Sequence, residues 1–183
     1  MALDLRLGAV DVTAIRFARS PMWETIQAAR TMREPRRQVH HLHWLRAVDT
    51  AACADALRTL EPLLPKHGYQ PDFLVPIPAG PTTTIDDDLA AVAATPLDVV
   101  AAELERALTA PGSSEAVRDG LRALLPDPAA SLERIVAAQR ACWEHLVRPH
   151  WTAIDDLLAS GDVVVQRRRT HPEPAGELGD GEP

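Results

Sequence analysis

Residues 131–160 read SLERIVAAQRACWEHLVRPHWTAIDDLLAS, the longest unbroken apolar periodicity in the chain. Leu132, Ile135, Val136, Gln139, Cys142, Trp143, Leu146, Val147, Trp151, Ile154, Leu157 and Leu158 recur at steps of three and four, with single steps where neighbours share a face. That is the period of an amphipathic helix; a strand alternates every second residue. Asp127-Pro128 supplies an N-cap and a first-position proline, and Ser160-Gly161 a stop. Such a helix spans roughly 45 Å at 1.5 Å per residue, longer than a small domain is wide. Pro149 lacks the N–H that would reach the carbonyl of His145, so the axis is expected to kink there. Trp143 and Trp151 bracket the kink on one face. The segment reads first as the core helix that organises the others, and second as a pocket wall or dimer seam.

Upstream, Leu3, Leu5 and Leu7 alternate with Asp4 and Arg6, the pattern of a short strand with one buried face. Its partner would be Val163-Val164-Val165 or another chain, since a lone strand leaves its backbone unsatisfied. A helical turn is expected over 11–17. Ser20-Pro21 then opens a helix with Trp23, Ile26 and Arg30 on its apolar side, beside Met22, Ala29 and Met32. Residues 39–47 read as another helix, and Asp49 caps the next. Residues 62–81, PLLPKHGYQPDFLVPIPAGP, hold six prolines and two glycines, so neither a helix nor a central strand fits. Tyr69, Phe73, Leu74, Val75 and Ile77 should nevertheless pack this loop across the core. Thr84 with Asp87 forms a capping box, Thr95-Pro96 with Asp98 opens the following helix, and residues 115–125 form a shorter one weakened by Gly120.

The totals bound the class. At 183 residues, 46% apolar and 25% charged, one soluble domain is the default. Net charge is −7, and the basic face of a free-standing nucleic-acid binder is not suggested. Lys66 is the only lysine. The start MALDLR has no apolar run behind it, and no stretch is long enough to span a membrane, so the expected location is cytoplasmic. Cys53 and Cys142 read as buried free thiols. Residues 1–161 form the expected domain. Residues 162–183, with Arg167-Arg168-Arg169 and then Pro, Gly, Glu and Asp, lack the apolar residues to fold and read as a disordered tail.

The sequence carries no catalytic or metal-binding constellation. His40 and His43 could share a helix face, but nothing nearby completes a metal site. Asp86-Asp87-Asp88 at a helix start is explained by the helix dipole. Neither phosphate-binding glycine loop nor nucleophile elbow occurs, and Glu144-His145 falls on the polar side of the long helix. No catalytic residue, metal or cofactor is expected. What remains is an aromatic set, Trp23, Trp44, Tyr69, Phe73, Trp143 and Trp151, a candidate apolar pocket for which Asp72, His43 and Arg30 could supply polar groups. Core packing is the competing reading of the same six.

Four stretches in order resemble a family of bacterial ArsR-like winged-helix transcription regulators. VDVTAIRFARSPMWETIQAARTM matches the family's opening at Asp11, Val12, Arg16, Phe17, Pro21 and Glu24. LLPKHGYQPDFLVP matches at Gly68, Pro71, Asp72, Phe73 and Leu74, AVAATPLDVVAAEL at Ala94, Thr95, Pro96, Glu103 and Leu104, and ACWEHLVRPHWTAI at Pro149 and Trp151. The likeness covers about residues 3–160. In the family the long helix leads on to a DNA-reading winged helix, and no helix-turn-helix pattern occurs in 162–183. The resemblance therefore implies the regulatory or dimerising half of such a repressor, touching DNA only through a partner or a missing domain. The expected fold is mainly α: a multi-helix domain on one long kinked C-terminal helix, with a short N-terminal β-strand. The expected partners are a second copy or a related regulator chain, and an apolar small-molecule effector. A stand-alone small-molecule binding protein, or an enzyme with an unrecognised site, is the other class.

Overall fold

The computed structural model describes residues 18–33 and 42–159. The expected strand at 3–7, the turn at 11–17, His40 and His41, and the tail at 162–183 lie outside the described residues. Those described are mainly helical: α1 (Pro21–Arg33), α2 (Leu42–Ala47), α3 (Ala54–Leu60), α4 (Ile85–Ala93), α5 (Leu97–Thr109), α6 (Glu115–Arg122), α7 (Pro128–Cys142) and α8 (Trp151–Ala159). No strand occurs among the described residues; a single parallel bridge joins Arg19 to Thr82.

Local chemistry starts three of these helices where expected. The Trp23 N–H donates to Ser20 Oγ at 3.1 Å, with Pro21 in the first position of α1. Thr84 and Asp87 satisfy each other's backbone N–H groups at the start of α4. Asp127 accepts from the Ala130 N–H at 3.0 Å, ahead of Pro128. Asp49 does not cap α3 as expected: it accepts from the Ala51 and Ala52 N–H groups in a preceding turn, and α3 starts after Cys53 with no side-chain cap, because four residues lie between Asp49 and the first helical residue.

Helix α7 is the centre of the packing. It buries Leu132, Ile135, Ala138 and Cys142 at helical spacing, and α1, α3, α4 and α5 all lie against it or its continuation. Beyond Cys142 the chain does not kink at one point. Residues Trp143–Val147 widen into a π turn, in which the Arg148 N–H reaches back five residues to the Trp143 carbonyl. Residues Arg148–His150 then tighten into a 3-10 turn containing Pro149, and α8 resumes. The expected interruption is present, but it is spread over residues 143–150. The reason is burial: the wider turn keeps Trp143, Leu146 and Val147 inside while the chain approaches a residue that cannot donate. The Trp44 indole N–H donates to the Leu146 carbonyl at 3.1 Å, supporting this irregular backbone from α2.

The proline-rich segment crosses the core as expected at Phe73 and Leu74, which are buried in a short 3-10 turn (Asp72–Leu74). Two polar side chains fasten it. Gln139 Nε2 of α7 donates to the Leu74 carbonyl at 2.8 Å, and Glu103 of α5 accepts from the Phe73 N–H at 3.2 Å. Ile77 does not join the core: it is 94% exposed, because the prolines on both sides hold it on an outer stretch. Trp23, expected on the apolar side of α1, does not join the core either. The buried stripe of α1 is Met22, Ile26 and Ala29 with Thr25, one residue round from the stripe read in the sequence, and Trp23 is 50% exposed.

Gly120 does not weaken α6 without return. A Cβ there would lie 2.6 Å from the Pro62 Cβ, so the missing side chain is what lets α6 approach the Glu61–Leu63 turn. Gly120→Ala is expected to cost about 1–3 kcal/mol despite alanine's better helix propensity. Urea denaturation at constant m-value measures this, and a stabilised variant would contradict the packing account.

Candidate functional site

Two clefts stand out on this helical frame. The first lies between the C-terminal half of α1 and the segment from Leu57 to Lys66, with a volume of about 540 Å³. The last turn of α1 contributes Arg30 and Arg33, and α3 contributes Leu57, Arg58 and Leu60. Arg33 fastens the two sides: its guanidinium donates to the Leu64 carbonyl and reaches Glu61 at 3.4 Å. The second is a groove of about 460 Å³ along the outer side of α7. Leu97, Leu132 and Val136 give it an apolar lining, with Ala93, Ala129 and Ala137 beside them and Glu133 and Arg140 at its edges. Leu97 is 48% exposed, and Arg140 forms an outward ion pair with Asp86 at 2.6 Å.

None of the six aromatics lines either cleft. The structure brings Trp143 and Trp151 together edge to face, with ring centroids 5.3 Å apart across the irregular turns. Trp143 and Phe73 are buried in the core, and Trp44 and Tyr69 pack partly against it. Tyr69 donates to Asp72 at 2.9 Å, and the Arg106 guanidinium sits 4.0 Å above its ring. Trp23 stands apart on the surface. The six therefore divide between packing and surface positions and do not line a common cleft. Of the polar groups once placed with them, Asp72 serves Tyr69, His43 is exposed, and Arg30 lines the first cleft.

The three aspartates at the start of α4, one feature in the sequence, have three different tasks. Asp86 pairs with Arg140, Asp87 closes the capping box, and Asp88 is buried. Asp88 accepts from Ser20 Oγ at 2.9 Å, the Met22 N–H at 3.1 Å and Thr83 Oγ1 at 3.0 Å, so it joins α4 to the start of α1. Sequence reasoning missed this residue because two of its three partners, Ser20 and Met22, come from a segment more than sixty positions away.

The two cysteines are free and buried. Burial pushes the Cys142 thiol up to about 12, with a smaller contribution from Cys53. Burial and then the Asp49 carboxylate raise Cys53 as well. Both are held as thiols at neutral pH, the opposite of an activated nucleophile. Among the described residues no group of three His, Cys, Asp or Glu side chains could hold a metal ion, and no helix is long and apolar enough to cross a membrane.

The motif residues that carry the resemblance do structural work. Phe73 of one motif is held by Glu103 of the next, Trp151 packs on Trp143 after Pro149, and Gly68 has φ +118°, a conformation that favours glycine. Comparisons with protein-family models, with characterised proteins and with solved structures return no match.

Proposed function

We propose that this chain is the association half of an ArsR-like transcription regulator, a helical domain that pairs with a second copy and does not read DNA alone. The observation that carries the reading is the groove on α7. Its apolar lining is flanked on one helix by Glu133 and Arg140, seven residues apart and so on one stripe. In an antiparallel pair of α7 helices centred between Val136 and Ala137, Glu133 faces the partner subunit's Arg140, and Arg140 faces the partner subunit's Glu133. The pattern is self-complementary under a two-fold axis, as an isologous interface requires. Arg140 leaves Asp86 at little cost, because an exposed ion pair is worth about 0–1 kcal/mol. The four ordered motifs supply the regulator part of the proposal.

Light scattering coupled to size exclusion tests it. The full chain is expected to be dimeric in the micromolar range. Glu133→Arg sets like charges against each other at both symmetry-related contacts and should weaken the dimer on the order of tenfold or more. Adding Arg140→Glu restores opposite charges and should restore the dimer. A monomeric wild-type chain, or a double variant no better than the single one, would overturn this interface. In a mobility-shift assay the chain alone should leave duplex DNA unshifted.

A further inference from the structure

None of the matched motif positions lines the cleft beside α1, although two of the motif stretches pass through it. The chain as a whole carries a net charge of −7, yet among the described residues this cleft gathers Arg30, Arg33 and Arg58 against one lining carboxylate, Glu61. Its floor is apolar: Ala29, Leu60 and Leu64 are buried, and Met32 and Leu57 partly so. Some of that positive charge has a structural task. Cations in the last turn of α1 suit the helix dipole, Arg33 clamps the Leu64 carbonyl, and Arg58 pairs with Asp55. Arg30 is half-buried, and no carboxylate is paired with it among the described residues. A guanidinium held over an apolar floor, with a second one fixed a helical turn away, matches a planar carboxylate above a hydrocarbon body.

We propose that this cleft binds an amphipathic anion, a monocarboxylate on an aliphatic or aryl body. Arg30 holds its head, with the positive charge of Arg33 a helical turn away, and Leu57, Leu60 and Leu64 carry its tail. A volume of about 540 Å³ suits a small molecule of this kind. The inference goes beyond the association reading and fails separately from it, since none of the cleft's lining residues belongs to α7.

Calorimetric titration of the full chain with three probes of equal tail length tests the proposal: decanoate, decanol and decyltrimethylammonium, each below its micellar range. Decanoate is expected to saturate one site per chain, with the neutral and cationic probes on the order of tenfold weaker or worse. Arg30→Gln should lose about that factor for decanoate while leaving decanol binding unchanged and lowering the unfolding midpoint only slightly. In the wild-type chain, decanoate affinity should fall with added salt and decanol affinity should not. Equal binding of all three heads, no saturable decanoate binding, or a salt-independent affinity would overturn the proposal. So would an Arg30→Gln chain that still binds decanoate fully. Capture by phosphatidylglycerol vesicles without binding of monomeric decanoate would mean a membrane surface in place of a free acid, and would overturn it too.

Discussion

Replacing Asp88 by Ala is expected to cost about 3–5 kcal/mol, a large share of the stability of a domain this size. The residue is only 3% exposed, and its carboxyl group accepts from three donors on two segments: Ser20 Oγ, the Met22 N–H and Thr83 Oγ1. Truncation would leave all three without that acceptor, and a buried donor without a partner costs about 1–3 kcal/mol. It would also remove a negative group placed near the start of α1, where the dipole favours one. Asp88→Asn keeps the shape but turns one acceptor into a donor facing donors, so about half that loss is expected. Chemical denaturation measures both. The cycle with Ser20→Ala should show coupling, because the two residues share a bond. A loss below about 1 kcal/mol for Asp88→Ala would mean that α1 is held by its apolar stripe alone.

What the sequence made legible was what is local. The caps at Ser20-Pro21, Thr84/Asp87 and Asp127-Pro128 are where they were read, because a cap needs only residues within one turn of each other. The break near Pro149 was readable because proline's missing donor acts through the backbone. Its form was not: the π turn depends on what Trp143, Leu146 and Val147 are buried against, and on Trp44 reaching the Leu146 carbonyl from another helix. The stripe of α1 was misread by one position because Trp23, Ile26 and Arg30 keep a helical period as well as Met22, Ile26 and Ala29 do. Periodicity finds the helix, but tertiary contacts choose the face. The cleft was invisible for a related reason. Its walls come from two segments separated by more than twenty residues, and each reads alone as an ordinary helix end.

Gln139 lies within the stripe that identified the long helix, although it is the polar member of an apolar series. It is fully buried, its Nε2 donates to the Leu74 carbonyl, and its Oε1 has no hydrogen-bond partner among the described residues. The amide is therefore satisfied on one side only, and the two halves of the group predict different variants. Gln139→Met keeps the length, loses the bond to Leu74 and removes the unpaired oxygen; the two effects oppose, and a net change within about 1 kcal/mol is expected. Gln139→Glu places a carboxylate oxygen against the Leu74 carbonyl with nothing to neutralise it. At pH 7 a loss of about 3–5 kcal/mol is expected. The sign of its pH dependence follows from burial, which raises the carboxyl group's folded-state value above its unfolded one of about 4.3. Below the unfolded value the protonated acid is a near copy of the amide and donates to Leu74 in its place, so little is lost. As pH rises past that value the unfolded chain releases its proton first, and the penalty grows until the folded chain releases its own. Unfolding midpoints of the variant and the parent chain should therefore converge in acid and separate toward neutral pH. A difference that stayed constant with pH would mean that water reaches Gln139, and that the proline-rich segment is not sealed against α7 at Leu74.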